Sequence, residues 1–236
     1  MDRTSNRRSN IAWFKLAEFV SRGERERALS IYRLLSHSIS DKAFVAQLRG
    51  DILRAFNDKH ALQAYEEAAE YYEGHKQMQA AVLYEEMSVL DNESYERAMK
   101  VLNAYQEIGW LDKTQKCAER VIDILLRKKR YFQIHEIIRD INLPSAQKAE
   151  LHERFVVGVL GNNAQPDRPL LESHIVAALE GYDKSDQAQE RVSRFFGKLA
   201  SLDEEVKVFA AEQYPLSIDK KVDLRKIPAK NQKNSL

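Results

Sequence analysis

The chain holds a single cysteine, Cys117, which excludes an internal disulfide and any cysteine-rich zinc site. A reducing compartment suits such a chain, and the expected localisation is cytoplasmic. Proline and glycine are scarce, 5 and 8 in 236 residues, so the punctuation of turn-rich sheets is missing and long helices are favoured. No run approaches the roughly 18 apolar residues of a membrane-spanning helix. The opening MDRTSNRRSN lacks the apolar core of a secretory signal. A strong charge of one sign is also missing. The formal net charge is +1, with +2 on residues 1–10 and +4 on residues 219–236, which leaves −5 on residues 11–218. An acidic body suits nucleic acid poorly, because phosphate contacts supply most of the affinity there, and nucleic acid is not an expected partner. The basic tail leaves peripheral contact with a membrane surface open.

Catalytic signatures are equally sparse. Phosphate-binding glycine loops, a nucleophile elbow and calcium-loop strings do not occur. The six histidines, His37, His60, His75, His135, His152 and His174, form no metal-ligand spacing. His135 and His152 precede Glu136 and Glu153, but neighbouring helical residues point different ways, so neither pair reads as an acid–base dyad. Cys117 sits one residue before Ala118 in a helical pattern and reads as a small buried hydrophobe. No catalytic residue, metal or cofactor is expected, and the chain is not read as an enzyme. The one enzymatic alternative rests on Glu172, His174 and Asp183 beyond Pro169.

What the chain does have is period. Apolar residues recur at three- and four-residue steps, as in Ala28, Leu29, Tyr32 and Leu35, or Ala118, Val121, Ile122 and Leu125, which marks one face of a helix. Breaks at Gly23, Asp41, Asn57, Gly74, Asn92, Gly109 and Pro144 divide the first part into helices near 11–22, 24–37, 41–56, 59–73, 76–90, 93–108, 111–127 and 130–141. Four more are predicted near 145–160, 169–181, 185–199 and 203–213. The run Arg127, Lys128, Lys129, Arg130 closes one helix and opens the next. Cations there complement the negative end of the helix dipole, and docking of an acidic partner or an anionic membrane surface is the alternative.

Residue types echo at longer range. Ala28 and Tyr32 recur as Ala61 and Tyr65, a step of 33; Tyr71, Ala80, Tyr84 and Met87 are followed 34 residues on by Tyr105, Thr114, Ala118 and Val121. Small residues let two helices approach and an aromatic ring fills the gap beside them. Tyr65, Tyr71 and Tyr84 take such packing positions, whereas Tyr72 is expected to face a groove. The stretch from Gly23 to Tyr32, GERERALSIY, and the stretch from Ala61 to Ala68, ALQAYEEA, resemble the interhelix turn and second helix of the tetratricopeptide repeat. With Trp13 and Gly50 near signature positions, the chain is similar to a degenerate member of that family over residues 11–160.

This resemblance implies an all-α fold: an α-solenoid of antiparallel helix pairs, tetratricopeptide-like, with a C-terminal helical cap. The implied divisions are a disordered basic N-terminus over 1–10, the repeat array over 11–160, a helical cap over 161–213 and a basic disordered tail over 214–236. It implies a protein-interaction scaffold holding a peptide or helix in a groove lined by Glu66, Tyr72, Lys100, Asn103 and Gln106. In that register residues 59–73 open a helix pair, whereas the 33-residue echo makes them close one. Family members that clamp a chaperone's terminal carboxylate use Lys and Asn where this chain has Tyr65 and Ala69, which argues against that ligand. The chain also resembles the wider helical-hairpin solenoids that include the SNAP adaptors of membrane fusion, which implies a membrane-trafficking adaptor as the alternative.

Overall fold

Amphipathic segments separated by two to four polar or glycine residues can bury their apolar stripes only by folding back on one another. The computed structural model describes residues 3–162 and 167–214, with side chains from residue 10 onward. Among the described residues there are twelve α-helices and no strand. They divide between two compact units, Met1–Ile108 and Gly109–Leu236.

The first unit contains α1 (Arg3–Ser21), α2 (Arg25–Ser36), α3 (Lys42–Ala55), α4 (Ala61–Tyr72), α5 (Gln77–Leu90) and α6 (Tyr95–Ile108). Each packs on the next, most extensively α3 on α4 and most lightly α2 on α3. Consecutive helix pairs are thus the building principle, as in an α-solenoid. The strength of the α3–α4 pairing makes α4 the closing helix of a pair, in line with the 33-residue echo. Helix α1 begins at Arg3, so residues expected to be a disordered terminus continue the helix backward. No proline or glycine interrupts MDRTSNRRSN, so nothing there stops propagation from Ile11.

Close approach explains the α3–α4 contact. Helix α4 buries Ala61, Ala64, Tyr65, Ala68, Ala69 and Tyr72, and Gly50 of α3 lies against the Tyr65 ring so tightly that a Cβ there would stand 2.5 Å from two ring carbons. The Tyr65 hydroxyl then donates to Asp51 at 2.8 Å, so the ring is packed and its polar end is satisfied. Ala80, Tyr84 and Tyr105 are buried as the echo predicts. Leu16, Ala28, Leu35 and Ile52 close a smaller cluster under α1 and α2.

The second unit contains α7 (Leu111–Arg127), α8 (Tyr131–Asp140), α9 (Ser145–Gly161), α10 (Arg168–Asp183), α11 (Ala188–Leu202) and α12 (Glu204–Gln213). Its packing is less linear: α9 touches α7, α8, α10 and α11. The division into compact units falls at 108/109. Helix α9 belongs with the helices that follow it, because Leu151, Phe155, Val156 and Val159 spread over more than one face and need cover on each. Two glycines permit it. A Cβ on Gly158 would meet Leu126 at 2.4 Å, and one on Gly181 of α10 would meet the Ser145 carbonyl oxygen at 2.7 Å.

One turn form recurs between helices. At Gly23, with φ +72°, the N–H of Glu24 donates to the Phe19 carbonyl at 2.8 Å, a Schellman closure that suits glycine. Lys129 adopts the same backbone, with φ +54° and the Arg130 N–H donating to Leu125 at 2.9 Å. Among the described residues no helix is long and apolar enough to cross a membrane. Residues 215–236, expected to be a disordered basic tail, lie outside the described residues; Tyr214 just before them donates to Asp183 at 3.1 Å.

Overpacking at the tightest contact should be measurable. Gly50→Ala is expected to destabilise the fold by about 1–3 kcal/mol in denaturant unfolding. Gly197→Ala in α11, where a Cβ would meet nothing within 4 Å, should be neutral or stabilising by up to ~1 kcal/mol. Equal midpoints for the two variants would contradict this account of α3–α4 packing.

Candidate functional site

The turn after α4 and the facing sides of α5 and α6 enclose a cleft of about 420 Å³ in the first unit, lined by Glu73, Tyr84, Lys100, Asn103 and Glu107 among others. Lys100 and Asn103 are on the exposed side of α6. The Lys100 ammonium lies 5.5 Å from the centroid of the Tyr84 ring, within cation–π range. The Tyr84 hydroxyl donates to Glu73, and burial together with that carboxylate raises its pKa, so it stays protonated. The cleft offers an ammonium, an amide and two carboxylates around an aromatic face. That set can meet charges of both signs around a ring.

The five residues singled out from sequence are not all brought together. Lys100 and Asn103 share the cleft. Glu66 is engaged elsewhere, accepting from Arg97 at 3.3 Å, while Arg97 also holds Asp91. Gln106 is half-buried on α6 and is not among the cleft's lining. Tyr72 is a correction: it is 4% exposed rather than groove-facing, its hydroxyl donates to Gln47 at 3.3 Å, and it is Tyr71 that is 42% exposed. The buried positions of α4 run in helical phase through Tyr65, Ala68, Ala69 and Tyr72, and Tyr71 is one step out of that phase.

The second unit carries groups that motif reasoning passed over. His174 is completely buried. Its Nε2 lies 3.2 Å from Nδ1 of His135, and its Nδ1 lies 2.9 Å from Nδ1 of His152, so α8, α9 and α10 are joined by a chain of three imidazoles. Phe155 packs on the middle ring with centroids 4.2 Å apart. Burial, aided by the other rings, pushes His152 down to about 4 and His174 down to about 3. His174 uses its two nitrogens on different sides of the ring, so no single point is close to all three imidazoles. Accordingly, no group of His, Cys, Asp and Glu among the described residues could hold a metal ion. The signal was available in period: His152 falls in step with Ala149, Val156 and Val159, and His174 with Leu171 and Ala178.

A second cleft, of about 450 Å³, lies over α7, α9 and α11. Beneath it Glu153, 4% exposed, accepts from Tyr182, from Lys198 at 2.5 Å, and pairs with Arg194 at 3.9 Å. Arg154 grips Asp123 at 2.6 and 2.8 Å, and Arg191 holds Glu150 at 2.6 Å. Each of these carboxylates already has a cation, so the network ties three helices together. Of the residues behind the enzymatic alternative, Glu172 pairs with Arg168 at 2.9 Å, Asp183 accepts from Tyr214 and His174 bonds to His135 and His152. No protein-family model matches the chain, and no curated protein matches it.

The imidazole chain sets a pH dependence. Unfolded, His152 and His174 take up protons near 6.5, whereas folded they do so only near 4 and 3. Between those values the unfolded chain binds more protons, so stability is full above about pH 6.5 and declines as pH falls toward 4. Lowering pH from 7.5 to 5 should cost on the order of 2–4 kcal/mol. In urea titrations the double variant His152→Gln, His174→Gln should show a clearly flatter decline; an identical slope in both proteins would remove the histidines from the explanation.

Proposed function

We propose that the chain is a protein-interaction adaptor of tetratricopeptide-like build that holds a peptide or helix in the cleft between α5 and α6, and that it has no catalytic role. The observation that carries this reading is the pairing of Lys100 and Asn103 on the open side of α6 with Tyr84 and Glu73 across from them. An ammonium over a ring, an outward amide and flanking carboxylates suit polar contacts with an extended chain. The consecutive helix pairs of the first unit support it as well, since repeats of this kind offer a long side surface to a ligand. Glu66 and Tyr72 take no direct part: one serves an internal ion pair and the other fills the core.

Affinity capture with the full chain as bait tests the reading. Lys100→Glu, on an exposed position, should leave the helical circular dichroism and melting midpoint unchanged and deplete at least one captured protein roughly ten-fold, the scale of a lost charged contact. Capture profiles that are the same for the wild-type chain and for Lys100→Glu, Asn103→Ala would defeat it.

A further inference from the structure

The second unit has a third cleft, and its chemistry differs from the other two. It opens beside the α7–α8 turn and the first turn of α8, facing the start of α10, with a volume of about 860 Å³. Phe132, Pro169 and Leu170 make much of its surface apolar, and Phe132 is 64% exposed, the third largest exposure of any bulky apolar side chain among the described residues. Lys129 and Arg130 stand at the same cleft, both exposed, and neither has an ion pair among the described residues. Asp167 is the one carboxylate in the lining.

Three further observations converge there. Lys129 sits at φ +54°, in the turn that Gly23 makes elsewhere at +72°. An L residue in that region costs about 1 kcal/mol against glycine, so the lysine side chain is kept where glycine would be the more stable choice. Gln133, in the cleft lining, has a buried side-chain oxygen without a donor. Helix α8 begins without a side-chain cap, which leaves the first N–H groups of Tyr131 and Phe132 without an intrahelical acceptor. The cleft therefore presents cations and backbone donors around an apolar floor.

We propose that this cleft is a binding site, separate from the α5–α6 cleft, for an acidic peptide segment that carries a bulky apolar residue. The apolar residue packs on Phe132 and Leu170, and flanking carboxylates meet Lys129 and Arg130. A bare anion would leave the apolar floor uncovered. A nucleic acid needs cations spaced along a path, whereas these two are neighbours on a body of net −5 over residues 11–218. Charge complementarity and the exposed ring together select the acidic, apolar-anchored peptide.

Fluorescence anisotropy with the full chain tests this, using a fluorescein-labelled decapeptide with a central phenylalanine among glutamates. Binding is expected at a Kd of about 10–100 μM and should weaken as salt is raised. The double variant Lys129→Gly, Arg130→Gln should weaken binding at least roughly ten-fold while its melting midpoint stays level or rises, because glycine relieves the turn. Phe132→Ser, at an exposed position, should weaken it similarly, as should replacing the probe's phenylalanine by serine. Undiminished binding to the folded double variant overturns the proposal. So does a lysine-for-glutamate probe that binds equally well, or an oligothymidylate or a phosphatidylserine vesicle that binds more tightly through Lys129 and Arg130. The result is separate from the Lys100→Glu capture, which reads the other unit.

Discussion

Close approach of helix axes is the constraint on which both units depend. In the first, four alanines on α4 and Gly50 on α3 bring backbones near enough for the Tyr65 ring to fill what remains. In the second, Gly158 and Gly181 do the same for α9 against α7 and α10. Small residues contribute little burial of their own. Their value lies in letting large neighbours reach one another at interior packing density. The buried tyrosines then need their hydroxyls satisfied, and they are: Tyr65 by Asp51, Tyr105 by Glu85 and Tyr182 by Glu153. Packing thus places carboxylates at helix surfaces before any function is asked of them.

That coupling explains why carboxylates line two of the clefts and why the one over α7, α9 and α11 is structural. The cleft over α7, α9 and α11 is a web of charges already matched, and buried charges that are matched stay put. The α5–α6 cleft is only partly matched, with Lys100 over a ring and Asn103 turned outward. The cleft at the start of α8 is the least matched of the three. Unmatched polar groups next to exposed rings are where a protein surface has something left to offer.

Helix positions were almost wholly legible in the sequence, because all twelve amphipathic segments carry their own stop signals, as at Gly23, Asn57 and Pro144. Which faces are buried was legible from the local period and obscured by the longer one. Aligning Tyr71 with Tyr105 at 34 residues placed the wrong tyrosine inside; the phase of Ala61, Ala64, Ala68 and Tyr72 within α4 places the right one. The boundary at Gly109 was hidden because a glycine there looks like every other turn, and the difference lies in which helices cover α9. Of the five groove residues, the two that share the cleft are on α6, whereas α4 turns its side chains inward or to Arg97. The histidine chain could not be read from spacing, since its members come from three helices, although each lies in phase with apolar neighbours.

The chain of imidazoles restricts its own protons. With neutral rings, a proton on Nδ1 of His174 points to His152, so His152 must carry its proton on Nε2 and His135 must donate through Nδ1. Moving that one proton to Nε2 reverses both neighbours. The three side chains therefore have two joint tautomeric arrangements rather than eight, and a change in hydrogen bonding at the outer ring of His135 is registered, one bond at a time, on the far side of α9.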